Sequence, residues 1–523
     1  MDSFLQIREL KDKVCLELGS DYPSLLSLLL TCRSFVEPSL DRLWRESYLV
    51  RPLLACLPED AYRSEKTSSV FHNRYTVFPN AGRELTSADL ERFQTHYAHR
   101  IRVVHAGGRV LRGTLSPEFL QALVSATNGH LGSLSPRLRT FRWNGSPFLR
   151  TVKQLLPYLT LLVGTSVTSI ALPRIVADPD GDVALTALRL PHLEDVSLRH
   201  TDLDFVDKFM TLATPSSLKS IKISNVSDSM ISSLASLPKL ESLTFEALDG
   251  ITPKNAQKVS SNSKSFRTLR NLHITSSDFE TAVYLIQHLP PTTTLQELLC
   301  SIPQFSTPTA SQTIIDAVAN HINPATLSTL QVMDYCDTGL DDFKEVGPHQ
   351  GSGGVVIDIS PLSRFTSLKN ISLFFYGRVQ VTPSDAKMIA TSWTQLEKLD
   401  LSGTHPIDRP PAIDHSHLFQ ILEGCPNLRH LGLPFDGRGI QGNETSARGP
   451  FPNIEHLSVC GSLVEYPSSL AAFFIRTNFP AARLSRSYPE GLLISLEPSW
   501  KRWMDVGDAL DPEGPAPRDD YMF

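Results

Sequence analysis

Residues 240–245 read LESLTF, 269–274 LRNLHI, 295–300 LQELLC and 327–332 LSTLQV. Each is a leucine, two variable residues, an apolar residue, one variable residue and a second apolar residue. The same six-residue pattern starts earlier at Leu138, Val167, Leu193 and Leu218, and later at Leu368, Leu396, Leu428 and Ile454. An outlying copy stands at Ala98 (AHRIRV). From Leu138 onward the starts lie 22 to 41 residues apart, most of them between 25 and 32. Ordered copies at such spacing mark a structural repeat and give a place to the leucines, about one residue in seven. The last three positions alternate, so the fourth and sixth residues point inward from a short strand and the fifth points out.

The segments between copies carry helical spacing instead, as in 278–289 (DFETAVYLIQHL), 311–322 (SQTIIDAVANHI) and 382–393 (TPSDAKMIATSW), where Thr382 or Ser384 can cap the helix. Pro136, Pro191, Pro238, Pro426 and Pro452 each precede a repeat start by two positions. Proline cannot continue a helix and biases its predecessor toward extended backbone, so these residues punctuate the passage from helix to strand. Strand and helix in alternation, with parallel strands stacked side by side, predict an α/β solenoid. The chain resembles the leucine-rich-repeat superfamily over residues 98–480. It departs three residues after the last strand apolar residue, where many such repeats hold Asn or Cys. Here Thr201, Val226, Leu248, Ser277, Pro303, Tyr335, Tyr376, Thr404, Asp436 and Ser462 stand instead. The expectation is therefore an irregular arc of short parallel strands and helices. Two insertions, around 347–354 (GPHQGSGG) and 434–449, read as mobile surface loops.

Ahead of the repeats, residues 22–46 read YPSLLSLLLTCRSFVEPSLDRLWRE. Leu25, Leu28, Leu29, Cys32 and Phe35 fall at helical spacing, and after Pro38 a second short helix carries Leu40, Leu43 and Trp44. This stretch resembles the C-terminal half of an F-box: Leu25, Leu26, Leu28, Leu30, Cys32, Arg33, Phe35, Leu43 and Trp44 match its pattern. Residues 51–62 and 85–103 resemble the linker and first repeat of fungal F-box proteins with leucine-rich repeats. F-boxes open on Leu-Pro, and that register holds Arg8 and Glu9 here. The alternative is a helical cap that closes the open end of the array, as terminal repeats require. The expected organisation is a degenerate F-box-like segment (1–50), a linker or N-terminal cap (51–97), repeats (98–480), and a C-terminal cap with an acidic, disordered tail (481–523).

The 49 Lys+Arg and 55 Asp+Glu leave a net charge of -6, without the basic excess of a nucleic-acid or anionic-membrane binder. The N-terminus lacks the basic-then-apolar plan of a secretory signal, and no apolar run approaches a membrane span. Seven scattered cysteines with no C-x-x-C pair predict reduced thiols in cytoplasm or nucleus. The sequons at Asn144, Asn225, Asn370 and Asn443 then carry no meaning. No phosphate loop, dinucleotide fingerprint, nucleophile elbow or HExxH motif occurs. Asp414-His415-Ser416-His417, with His405 and Asp408 near, reads as a helix entry more than a metal site, and Gly351–Gly354 as a linker.

No enzyme and no cofactor are expected. The charged outward residues from Leu193 to Ile454 number six Lys or Arg and seven Asp or Glu, unlike a basic groove. Within this surface Arg270, His273, Arg429 and His430 are candidate substrate-binding residues. Tyr335, Phe374, Phe375, Tyr376 and Phe435, just past strand ends, join them because aromatic residues are common binding hot spots. The resemblance implies that Leu25, Leu26, Leu28, Leu29, Cys32, Phe35, Leu43 and Trp44 bind a Skp-type adaptor and through it a cullin–RING ubiquitin ligase. The repeats would hold an unknown substrate protein. A protein-interaction scaffold without a ligase role is the alternative.

Overall fold

In the computed structural model, residues 7–510 are described apart from 20, 49, 68–73, 107–112, 144–155, 173–189, 200–202, 213–214, 225, 249–265, 291, 335–355, 376–378, 402–409, 460–461 and 486–497. The chain divides into two compact units, one of residues 1–230 and 237–240, the other of 231–236 and 241–523.

The first unit holds β1 (Glu46–Ser47), β4 (Val103–Ala106), β6 (Thr140–Trp143), β7 (Ser169–Leu172), β8 (Asp195–Leu198) and β9 (Ser220–Ile223), parallel neighbours in that order. Its helices are α1 (Arg8–Glu17), α2 (Tyr22–Thr31), α3 (Val36–Leu43), α4 (Val50–Leu54), α5 (Ser87–His96), α6 (Pro117–Ala126) and α7 (Leu203–Leu212). The division between the units falls within α8 (Asp228–Ala235).

In the second unit β10 (Ser242–Phe245), β11 (Asn271–Thr275), β12 (Glu297–Ile302), β13 (Thr329–Asp334), β14 (Asn370–Phe374), β15 (Lys398–Asp400), β16 (His430–Gly432), β17 (His456–Ser458) and β18 (Arg483–Ser485) follow one another, again all parallel. Among the described residues of this unit the α-helices past β10 are α9 (Phe279–Gln287), α10 (Pro308–His321), α11 (Pro383–Ser392), α12 (His415–Gly424), α13 (Ser468–Asn478) and α14 (Pro498–Leu510). This is a leucine-rich-repeat solenoid of α/β class.

The repeat pattern maps onto burial position by position. In the twelve copies from Leu138 to Ile454, no first, fourth or sixth residue is more than 7% exposed. The third and fifth face outward and, the buried Gly432 apart, are exposed or only partly covered, as in β11, where Asn271 and His273 alternate with buried Leu272 and Ile274. The second residue supplies the ladder's joint. Its carbonyl accepts two N–H groups from the next repeat, as Glu241 does from Arg270 (2.8 Å) and Asn271 (3.0 Å), and Arg429 from Glu455 (2.8 Å) and His456 (3.1 Å). Pro136, Pro191, Pro426 and Pro452 sit second in the turns that launch their strands, closed by bonds such as Leu138 N–H to the Ser135 carbonyl at 3.0 Å.

Sequence and structure part at four places. The copy at Ala98 is out of register by three: the Arg102 carbonyl holds the joint to Arg139 and Thr140, so the repeat begins at Ile101. Alanine at its sixth position hides the pattern. Two further repeats were too degenerate to see. Arg45 accepts from Arg102 and Val103, which makes Trp44 a first-position residue, and Glu455 accepts from Arg483 into β18. Third, the expected linker forms β2 (Tyr62–Thr67) and β3 (Arg74–Pro79) of a second sheet, which β5 (Gly113–Leu115) joins from within the expected repeats. Fourth, the loop at 434–449 is held in place. Asp436 bridges to Asp414 and Leu463, Gly437 N–H meets the Leu463 carbonyl at 2.7 Å, and Glu444 accepts from Gly442 at 2.9 Å. Its Gly and Asn content suggested motion, but its acids satisfy the backbone of its own turns.

The missing Asn or Cys ladder is replaced piecemeal. Ser462 accepts from Phe435 N–H at 3.0 Å, and the Leu248 N–H reaches the Thr275 carbonyl at 2.7 Å. The fully buried Asp334 takes both the N–H (3.0 Å) and the hydroxyl (2.5 Å) of Ser306. Thr201, Tyr335, Tyr376, Thr404 and the loop at 347–354 lie outside the described residues, as do Gly351–Gly354, His405 and Asp408. Helix entries follow the sequence more closely. Thr382 caps α11 with Asp385 as its reciprocal partner, and Asp414 caps α12. The segment after Trp503, expected to be disordered, continues α14 to Leu510; residues 511–523 lie outside the described set.

Candidate functional site

Two surfaces collect the candidate residues, one in each unit. In the first, α1, α2, a 3-10 turn over Arg33–Phe35, and α3 enclose a small core of Cys15, Leu25 and Phe35. Val14, Leu18, Leu28, Cys32 and Leu43 pack against it. Asp21 caps α2, taking the Ser24 N–H at 3.3 Å and its hydroxyl at 2.6 Å; these bonds hold its carboxyl below the usual range. Gly19 turns the chain between α1 and α2 at φ +59, and Arg42 ties that turn to α3 by donating to its carbonyl at 3.0 Å.

The eight residues expected to bind an adaptor are thereby sorted. Leu25 and Phe35 are buried, and Leu28, Cys32 and Leu43 belong to the same core. Leu29 is half-buried. Trp44 packs against Tyr97 with ring centroids 4.0 Å apart and planes tilted by 32°. Only Leu26 is exposed, at 48%. It is flanked by Tyr22, also 48% exposed, and Leu30, 80% exposed, so α2 shows solvent an apolar stripe at i, i+4 and i+8. Tyr22 was missed by the sequence reading, although its spacing from Leu26 carries the signal.

A buried cation anchors α3 to the repeats of its own unit. Arg100, 8% exposed, donates to Glu37 at 2.7 Å, to Asp41, and to the His96 carbonyl at 2.8 Å. Burial opposes its charge, but the bonds from both carboxylates prevail and raise its pKa.

The second surface is the outward strand face of the other unit. Arg270 is exposed, His273 and His430 are half-buried, and Arg429 is exposed. Some charges along this face are answered within the sheet. Arg429 pairs with Glu455 at 3.2 Å and Lys369 with Glu397 at 3.4 Å, while His273 Nε2 lies 3.3 Å from the Glu297 carboxylate without making a hydrogen bond. Exposed pairs of this kind contribute at most about 1 kcal/mol each. Burial and the neighbouring His456 lower the pKa of His430.

The aromatic candidates divide. Phe374 is half-buried at the end of β14. Phe375 is fully buried and meets Phe279 edge to face at 6.0 Å. Phe435, 1% exposed, packs against Trp503 at 6.0 Å. Those two are packing residues, because the chain turns inward just past the strand. Tyr335 and Tyr376 lie outside the described residues.

Cys300 and Cys425, expected to be reduced, are buried thiols whose pKa burial pushes up to about 12. Among the described residues no helix is long and apolar enough to cross a membrane.

No protein-family model matches the chain, and no curated protein does. Solved structures of similar architecture include a chain of the yeast Rad7 and Elc1 complex, 13% identical over 76% of this chain and 83% of that one, with a TM-score of 0.39. A leucine-rich-repeat protein of Leptospira interrogans is 12% identical over 74% of this chain and 90% of that one, with a TM-score of 0.35.

Proposed function

We propose that this chain is a non-enzymatic adaptor of an SCF-type ubiquitin ligase. Its N-terminal helices dock on a Skp-type adaptor, and the outward strand face holds a substrate protein. Catalytic power comes from proximity, since bringing the substrate to the ligase makes an intermolecular transfer local. The observation that carries this reading is the stripe of Tyr22, Leu26 and Leu30. The three helices already bury a core of their own, and a helix serving only to cap the array has no use for three large exposed apolar residues. The capping alternative draws on a different feature. Trp44 and β1 take part in the repeat ladder, and Arg100 fastens α3, so this segment also closes one end of its unit's sheet. Docking and capping use different faces and are compatible.

Co-purification with a Skp-type adaptor tests the proposal. The intact chain is expected to retain the adaptor, and Leu26→Asp/Leu30→Asp to lose it with an unchanged melting temperature. An intact chain that fails to bind overturns the ligase reading and leaves the scaffold.

A further inference from the structure

Strands β16 and β17 pair in parallel with His430 directly opposite His456. Both are third residues of their repeats, on the outward face, and their imidazoles stack with centroids 4.5 Å apart and planes inclined by 15°. Glu455, the second residue of the same repeat as His456, reaches the same spot. One donor atom from each of His430, His456 and Glu455 lies within 4.8 Å of the other two, the one such group among the described residues.

Two imidazoles and a carboxylate are the ligand types that zinc accepts at about 2.0–2.2 Å in sites with three protein ligands and an open fourth position. A tetrahedral ion at those distances needs its donors about 3.4 Å apart with both imidazole planes aimed at it, so closure asks for roughly 1 Å of approach and a turn of the stacked rings about their side-chain bonds. The residues have that freedom: Glu455 is exposed and the histidines are only partly covered. Glu455 now faces Arg429 at 3.2 Å, with both side chains more than half exposed, and such a pair yields easily. The next residues along the ladder are cations, Lys398 opposite His430 and Arg483 opposite His456. On the same face, the Asp400 carboxylate leans across Gly432, where an added Cβ would lie 2.6 Å from its oxygen.

We propose that His430, His456 and Glu455 bind one divalent transition-metal ion of the zinc class, with the open coordination position turned outward for water or for a ligand from a bound protein. The site lies on the strand face proposed to hold a substrate protein, but metal binding by the chain alone is tested independently of the ligase reading, because none of its residues belongs to the N-terminal helices.

Calorimetric titration of the full chain with zinc chloride tests it, with cobalt(II) absorption as a second readout that separates nitrogen and oxygen ligands from the seven cysteines. One equivalent with a thiolate-free cobalt spectrum is expected. It should vanish in His430→Ala/His456→Ala and weaken about tenfold or more in Glu455→Gln, while metal-free melting stays unchanged. Should the double variant fold poorly, His456→Gln is titrated in its place and should also lose the equivalent. Retention of the equivalent in these histidine variants, a thiolate cobalt spectrum, or no binding by the intact chain overturns the proposal.

Discussion

Helices α2 and α10 are both apolar, yet they spend that character in opposite ways. In α10, Ile314, Ile315, Val318 and three small residues are buried, while its exposed turns carry Thr309, Thr313 and Asp316. In α2 only Leu25 is fully buried, and Tyr22, Leu26 and Leu30 face solvent. A repeat helix carries as much hydrophobic surface as its neighbours can cover. The N-terminal helix carries more, and that surplus is where a function separates from the fold.

The comparison breaks most sharply at Leu25. Truncation of a fully buried leucine costs about 2–5 kcal/mol wherever it sits. In a core of three buried residues that loss leaves little, so Leu25→Ala should abolish amide-exchange protection over residues 7–43 while β10–β17 keep theirs. Leu330→Ala, fully buried in β13, should do the reverse, lowering protection in its own repeat and its neighbours. Hydrogen exchange read by mass spectrometry checks both. Equal loss in both regions from Leu25→Ala would show that the helices have no core of their own.

These two regions also differ in how legible they were. The repeats announce themselves because the same physical demand recurs: each strand must bury positions one, four and six, and twelve copies average out local noise. Where a copy carries unusual residues, as with Trp44 at a first position or Ala106 at the sixth position of the repeat from Ile101, one copy alone gives no period to read. The N-terminal segment appears once. Its spacing reveals a helix but not which face turns inward, since Leu25, Leu26, Leu28, Leu29 and Leu30 supply apolar residues in nearly every direction. The site at His430, Glu455 and His456 hides for another reason: its two histidines lie 26 residues apart and become neighbours only through strand pairing.

A smaller effect distinguishes the helix caps. Asp414 at the start of α12 is partly buried, which disfavours its charge, but bonds from Ser416 and His417 outweigh that and hold its pKa at about 2. The unfolded value is about 3.9. A depressed carboxylate stabilises the fold above its unfolded pKa, so this contribution is complete above about pH 4 and lost as pH falls toward about 2. The side chain is 48% exposed, so solvent screening leaves at most about 1 kcal/mol. Acid titration of stability should therefore be shallower in Asp414→Ala across that window. An unchanged acid limb would mean that the cap is open in solution.

The smallest expected effect bears most on the surplus surface of α2. If Tyr22, Leu26 and Leu30 serve the fold, removing them should cost what buried side chains cost. If they serve a partner, Leu26→Ala/Leu30→Ala should leave stability within about 0.5 kcal/mol, because exposed side chains gain little from folding. Alanine also has the higher helix propensity, so any shift should be slightly stabilising. Chemical denaturation measures this directly. A loss near 2 kcal/mol would place the stripe in the packed interior and return the N-terminal helices to a capping role.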